Sequence, residues 1–314
     1  MVRFVTIVGL PGCGKSTLTS KMEGYTVVSS DKIREEFYGD ENVQTDPGKI
    51  FEEAKRRIVK CINSGKNVIL DATNVNRKKR MAFLNDIKKQ VKQDVDLICI
   101  AIWVAVPYNT VIKRNNERQR VVPEAVIEKM YKNFMPPGYD EGFDDIKIDF
   151  AGSEDWGIEN VFEYYDVNNF LNKADVFDQK NHHHTLTLGG HCRKAAELVA
   201  QNPHCTSLLF DTALIHDNGK IFTCAPKVDK EGNPTGECSY HQHHCTGSYD
   251  AVFYLKNLGY EDNECIYGAR LIAWHMRPLL EWSNAKTRQK EIVAMDPQFH
   301  ADLMILHDAD VNAH

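Results

Sequence analysis

Two hydrophobic patterns divide this chain. Through about residue 150, short apolar runs alternate with stretches whose apolar residues recur at helical spacing; beyond residue 180 the helical spacing stands alone. Residues 3–8 read as a buried strand, and 16–21 open a helix. Residues 24–31 read as a second strand ending in a carboxylate, with a helix over 32–37. Residues 50–62 are amphipathic and helical, 67–71 form a strand ending in Asp71, and a further helix opens at Arg77. Residues 95–106 form a long apolar strand buried on both faces. Pro107 leads into a helix and Pro123 starts another, since proline suits a first turn. Such alternation predicts a parallel sheet flanked by helices. In the second half, helices are expected over 192–200, 207–215, 249–258, 265–275 and 299–309. Between the halves, 151–157 is a turn-rich break. The stretch 151–180 is acidic, with Phe162, Tyr164, Tyr165, Phe170 and Phe177, which argues for a packed connector rather than a disordered linker. The expected organisation is an α/β domain over 1–150, the connector over 151–180 and an all-α domain over 181–314.

Bulk composition narrows the class. A length of 314 residues suits two domains, and 42% hydrophobic with 26% charged residues is ordinary for a soluble globular protein. No apolar run approaches membrane-spanning length, so no membrane partner is expected. Met1, Val2 and Arg3 lead straight into a strand, so no signal peptide is expected. The nine cysteines stand singly, without a C-x-x-C pair. This argues against a disulfide framework or zinc ribbon and for a reducing cytoplasm. A formal charge of −6 argues against broad non-specific nucleic-acid binding, though not against a local basic track. The histidines are unevenly placed: all thirteen lie at or after His182. The two halves therefore do different chemistry, with histidine-free phosphate transfer plausible in the first and a histidine metal site in the second.

The stretch from Gly9 to Thr17, GLPGCGKST, fits the phosphate-binding loop G-x-x-x-x-G-K-[ST]. Glycines such as Gly9, Gly12 and Gly14 let backbone N–H groups, including that of Cys13, turn around phosphate oxygens. Lys15 supplies charge for the β- and γ-phosphates, Ser16 a hydroxyl for Mg²⁺, and Thr17 continues the helix whose N-terminus favours anions. A strand before and a helix after make this a nucleoside triphosphate site, with ATP and Mg²⁺ as ligands. Asp71, at the end of an apolar strand, resembles the carboxylate that orients Mg²⁺ or its waters. Asp31 has two readings: a base that accepts the proton of an attacking hydroxyl, or the cap of the next helix. Arg34 follows one turn later and can face the same cleft. Arg77, Lys78, Lys79 and Arg80 open a helix where positive charge is unfavourable unless phosphate is near; a solvated basic turn is the other reading. Lys113, Arg114, Arg118 and Arg120 cluster late in the domain. There Arg114 and Arg118 share an expected helix face, and the cluster has the usual form of a lid closing over the transferring phosphoryl group.

These residues resemble the kinase domain of polynucleotide 5′-hydroxyl kinases over roughly residues 1–148. The likeness rests on GLPGCGKST, on Asp31-Lys32-Ile33-Arg34 and on Asp71-Ala72-Thr73-Asn74-Val75. It continues in Val106-Pro107, in Arg114 through Arg120, in Val122-Pro123 and in Glu141-Gly142-Phe143-Asp144. The resemblance implies Asp31 as general base for a 5′-hydroxyl, Arg34 as the contact to the acceptor's phosphate, and Arg118 and Arg120 as lid arginines. Related small-molecule kinases share the loop and the lid.

In the second half, His191, His216-Asp217, His243, His275 and Asp310 fall across the expected helices. Imidazole and carboxylate ligands without thiolates suit Mn²⁺, Fe²⁺, Co²⁺, Ni²⁺ or Zn²⁺. Neighbours such as His216 and Asp217 point about 100° apart on an ideal helix, so they would flank one ion, or one would bridge two. The order H…HD…H…H…D resembles the HD phosphohydrolase domain over roughly 180–314, with His216-Asp217-Asn218-Gly219-Lys220 as the diagnostic segment. The resemblance implies the six residues as ligands of two ions and Lys220 as a charge balance on substrate phosphate. Spacing to Gly247 favours His243 over His241 and His244, while His307 and Asp308 compete with Asp310 for the last position. The family often has glutamate after the ligand histidine; here His244 stands there. His182, His183 and His184 read either as substrate contacts or as solvated loop residues.

Together the halves resemble the HD-Pnk class of bifunctional end-healing enzymes, with the domain order reversed. That resemblance implies phosphorylation of 5′-hydroxyl ends and removal of 2′,3′-cyclic, 2′ or 3′ phosphates. Nucleic-acid ends, RNA favoured, are then the substrates, and there is room for a separate RNA ligase as partner. A small-molecule kinase of the nucleoside type joined to an HD nucleotidase is the alternative.

Overall fold

The alternation of buried and mixed runs resolves, in the computed structural model, into five parallel strands and their connecting helices. The structure describes residues 1–43, 45–150, 152, 164–181 and 185–314. They form two compact units, Met1–Met130 with Pro137–Trp156, and Tyr131–Pro136 with Gly157–His314. Most of the expected break over 151–157, Phe162, and His182, His183 and His184 lie outside the described residues.

The N-terminal unit is a P-loop kinase-like α/β layer. Its strands are β1 (Val2–Val8), β2 (Tyr25–Ser29), β3 (Asn67–Asp71), β4 (Leu97–Val104) and β5 (Asp145–Asp149), in spatial order β2-β3-β1-β4-β5. All four pairings are parallel. Such a sheet buries both faces, which is why β1 and β4 read as unbroken apolar runs. Helices α1 (Lys15–Ser20), α2 (Ser30–Tyr38), α3 (Pro47–Asn63), α4 (Arg77–Gln90), α5 (Tyr108–Glu117) and α6 (Glu124–Tyr131) make the crossovers. In α3 the stripe Ile50, Ala54, Ile58 and Ile62 is buried and Asp46 caps the helix through Lys49 N–H.

Three expectations change here. β2 ends at Ser29, so Asp31 lies in the first turn of α2 instead of on a strand end; the cap position is Ser29, which removes the capping reading of Asp31. α5 ends at Glu117, so Arg114 and Arg118 do not share a helix face: Arg118 has extended backbone at the C-cap. β5 was not anticipated, because its Asp-Ile-Lys-Ile-Asp alternation is short and half-polar.

The C-terminal unit is mainly helical. It comprises α7 (Val167–Asp175), α8 (Leu188–Ala200), α9 (Ser207–Ile215), α10 (Lys220–Thr223), α11 (His243–Asn257), α12 (Asp262–Trp274), α13 (Arg277–Leu280), α14 (Ala285–Ala294) and α15 (Pro297–Val311). Val199, Leu209, Ala213, Leu271, Trp274, Phe299, Leu303 and Leu306 build its core. Among the described residues, the all-helical expectation fails at a hairpin. Strands β6 (Ala225–Val228) and β7 (Pro234–Ser239) form an antiparallel hairpin. Its residues are largely exposed, so no apolar alternation announced it. Of the connector aromatics, Tyr165 and Phe170 are buried, and both rings meet Tyr254 edge-on.

Candidate active sites

The phosphate loop leaves β1 between β3 and β4, at the carboxyl end of the sheet where α/β folds bind ligands. Gly12 and Gly14 hold φ of 85° and 97°, the left-handed region in which a side chain is strained. Lys15 Nζ donates to the Leu10 carbonyl at 2.7 Å, at the mouth of the loop. Ser16 Oγ donates to Asp71 Oδ2 at 3.2 Å. Burial pushes the Asp71 carboxyl up, while Lys15 and the Ser16 hydroxyl pull it back. An all-oxygen pair of hydroxyl and carboxylate beside a lysine fits Mg²⁺, a hard ion that keeps most of its waters. Thr17 is exposed on α1, and Cys13 is fully buried with its thiol pushed up by desolvation.

Asp31 faces two arginines. Oδ1 accepts from Arg34 at 2.5 Å and Oδ2 from Arg120 at 2.7 Å. Arg120 Nε also donates to Asn42 Oδ1 at 2.9 Å. Asp31, Arg34 and Arg120 thus converge; Arg118 is only half-buried and does not join them. Neither reading of the basic run at 77–80 fits Arg77 and Arg80. Arg77 is ion-paired with Asp140, and Arg80 is buried against Glu141. Lys78 and Lys79 are exposed.

In the C-terminal unit, side chains distant in sequence meet. Ligand atoms of His191, His216, Asp217 and Asp310 lie within 4.8 Å of one another, as do those of Asp217, His243 and His275. Asp217 belongs to both groups. Its Oδ2 is 3.3 Å from His191 Nε2 and 3.4 Å from His216 Nε2. Its Oδ1 is 3.2 Å from His243 Nε2 and 3.8 Å from His275 Nε2. His216 is the C-cap of α9, one residue past Ile215, and the chain turns there, which lets adjacent His216 and Asp217 face one place.

Local geometry aims every ring. His216 Nδ1 donates to the Ala213 carbonyl, His243 Nδ1 to Tyr240 and His275 Nδ1 to Ile272, each three residues back and at 2.7–2.8 Å. His191 Nδ1 donates to Ala313 at 2.8 Å. A carbonyl only accepts, so each Nδ1 carries a proton and each ring turns its Nε2 inward. Yet His191 and His216 face Nε2 to Nε2 at 3.3 Å, and His243 and His275 do the same. Two unprotonated Nε2 atoms at that range would not bind each other, and a cation between them would satisfy both. Both oxygens of Asp217 are buried without an aligned hydrogen bond; Oδ2 is ion-paired with Lys220, and Oδ1 again fits metal. Burial disfavours charge on His191, but Asp217 and Asp310 outweigh it and raise its pKa to about 9. Burial opposes ionised Asp217 too, yet Lys220 and His216 hold it well below the usual range. At His275, by contrast, burial prevails and lowers the pKa to about 3.

Lys220 Nζ is 2.7 Å from Asp217 Oδ2 and donates to Gln179 Oε1 at 2.8 Å. Gln179, 1% exposed, went unrecognised; it sits in a polar run with no periodic signal. Gly219 is required sterically, since a Cβ there would lie 2.1 Å from the His243 carbonyl oxygen. His244 lies beside the cluster but outside it, with burial lowering its pKa to about 3. His241 and Asp308 are exposed.

A family model described as AAA domain matches residues 4–137. The chain is similar to an L-seryl-tRNA(Sec) kinase of Methanococcus maripaludis, 27% identical over 176 residues that cover 52% of this chain. It spans 65% of that relative's length. Among solved structures, a Pnkp1/Rnl/Hen1 RNA repair complex matches at 22% identity, covering 41% of this chain and 42% of that one, with a TM-score of 0.33. A fungal RNA kinase matches at 17% identity, 49% and 78% coverage and a TM-score of 0.37. Among the described residues, no helix is long and apolar enough to cross a membrane.

Proposed function

We propose that this chain is a two-site enzyme acting on nucleic-acid ends, RNA favoured. Its N-terminal unit transfers the γ-phosphoryl group of ATP to a 5′-hydroxyl. Its C-terminal unit, read as an HD-type domain, removes 2′,3′-cyclic, 2′ or 3′ phosphates with two divalent ions. The observation that carries this reading is the second site: two groups of buried or half-buried residues, six in all, share Asp217, and four imidazoles are held by Nδ1 with Nε2 inward. A phosphate loop alone would suit any small-molecule kinase. Joined to a phosphohydrolase, it suits repair of breaks that carry a 5′-hydroxyl and a blocked 3′ end. The relative named as a seryl-tRNA(Sec) kinase supports an acceptor hydroxyl carried on RNA.

In the kinase site, Lys15 and the loop amides of Gly12, Cys13 and Gly14 hold the β- and γ-phosphates. Ser16 and Asp71 hold Mg²⁺, which neutralises phosphate charge when bound. Asp31 takes the proton of the attacking hydroxyl, Arg34 orients the acceptor, and Arg120 moves from Asp31 onto the transferring group. In the second site a bound ion supplies Lewis acidity and hydroxide near neutral pH. Lys220, anchored by Gln179, balances charge beside Asp217. The products, a 5′-phosphate and a 3′-hydroxyl, suit a separate RNA ligase downstream.

The test is phosphoryl transfer from γ-labelled ATP to a 5′-hydroxyl RNA oligomer, a DNA oligomer and a free nucleoside in competition. RNA as the preferred acceptor supports the reading. Preference for the nucleoside would replace it with a small-molecule kinase joined to a nucleotidase.

A further inference from the structure

Arg80 and Glu141 are charged, yet their side chains are 1% and 0% exposed. A buried ion pair adds little stability over an apolar pair of similar volume, because desolvation offsets the attraction. What apolar side chains cannot supply is directed hydrogen bonds, and Arg80 directs such bonds to Glu141 and to the Asn74 backbone. Nε donates to Glu141 Oε2 at 2.8 Å and Nη2 to Oε1 at 2.5 Å. Nη1 donates to the Asn74 carbonyl at 2.8 Å. Glu141 is fixed in turn by the Gly138 N–H at 3.1 Å.

Asn74 is the point on which these bonds act. It holds φ 49°, a left-handed conformation uncommon outside glycine. Its Nδ2 donates to the Ile7 carbonyl of β1 at 2.8 Å. One residue earlier, the Thr73 carbonyl accepts the N–H of Gly9, the first residue of the phosphate loop, at 2.9 Å. The turn after β3 is thus tied both to β1 and to the loop. Asp71, which meets Ser16, opens that turn.

We infer that Arg80 and Glu141 are positioning residues for the magnesium pair Ser16 and Asp71. They lock the Asn74 turn, and the turn sets the register between the end of β3 and the phosphate loop. This rests on the reading of that loop as a magnesium–nucleotide site.

The experiment is Mg²⁺ titration of the binding of a fluorescent ATP analogue to the full chain, with thermal melting to verify folding. The variants are R80M/E141L, Asn74→Gly and Asp71→Asn. R80M/E141L is expected to bind the analogue in EDTA as wild type does, and to need about tenfold more Mg²⁺ for half its effect. Asn74→Gly keeps the left-handed turn, loses the Ile7 tie and shifts the midpoint in the same direction. Added to Asp71→Asn, R80M/E141L produces no further shift. An unchanged midpoint in R80M/E141L overturns the inference, as does a fully additive shift on Asp71→Asn. If R80M/E141L fails to fold, Asn74→Gly decides by the same criterion. Wild type that responds to neither nucleotide nor Mg²⁺ sinks the site reading and the inference with it. A responsive wild type with unshifted variants sinks the inference alone.

Discussion

Arg120 Nη1 lies 2.7 Å from Asp31 Oδ2, joining residues 89 positions apart in the chain. The contact separates two arginines that sequence spacing left equivalent. Arg120 reaches the carboxylate proposed as base, whereas Arg118 does not.

Arg120→Ala is therefore expected to slow phosphoryl transfer by about a hundredfold or more, in the manner of an arginine that meets transition-state charge. Arg118→Ala should cost no more than about tenfold. Single-turnover transfer from labelled ATP to a 5′-hydroxyl oligomer measures both. Equal losses would return the lid assignment to where the sequence left it.

The shared carboxylate of Asp217 makes a prediction about metal content. Wild type loaded with Mn²⁺ and desalted is expected to hold two ions per chain by elemental analysis. Asp217→Ala removes a ligand from both groups and should retain neither. His275→Ala removes a ligand from one group only and should retain one. Full loading of Asp217→Ala would contradict a bridging role.

Asp250 gives a pH-dependent term. It is half-buried on α11 with its Oδ1 enclosed, and desolvation lifts its pKa to about 7 against the hydroxyls of Tyr131 and Tyr165, which lower it. In the unfolded chain it ionises near 3.8, so between about pH 4 and 7 the folded state binds the extra proton. Its contribution is present in full below about pH 4 and is lost as pH rises through 7. Three pH units correspond to about 4 kcal/mol at most. Melting curves of wild type and Asp250→Asn across that range are expected to diverge, wild type losing ground to the variant as pH rises. Parallel curves would contradict it.

The sequence carried the sites further than the fold between them. GLPGCGKST is legible because its chemistry is local: spacing alone puts glycines, lysine and hydroxyl around one anion. His191, His216, Asp217, His243, His275 and Asp310 are legible for another reason. A helix core has little use for so many imidazoles, and three of them carry their own aiming device, the carbonyl three residues back. Arg80 was not legible. A basic run opening a helix looks alike whether solvated, phosphate-bound or buried, and only the approach of Glu141 decides. The hairpin of β6 and β7 was missed because its exposed residues carry no apolar period. The end of α5 at Glu117 is not marked by glycine or proline, so helical spacing appeared to run on to Arg118.

The central claim is that one chain holds two independent chemistries. It is tested by end-group analysis of an RNA oligomer carrying a 5′-hydroxyl and a 2′,3′-cyclic phosphate, incubated with ATP, Mg²⁺ and Mn²⁺. Wild type should phosphorylate the 5′ end and clear the 3′ end. Lys15→Ala should lose only the first change and Asp217→Ala only the second. If wild type leaves both ends untouched while still consuming ATP, the account of this protein as a nucleic-acid end-healing enzyme is wrong.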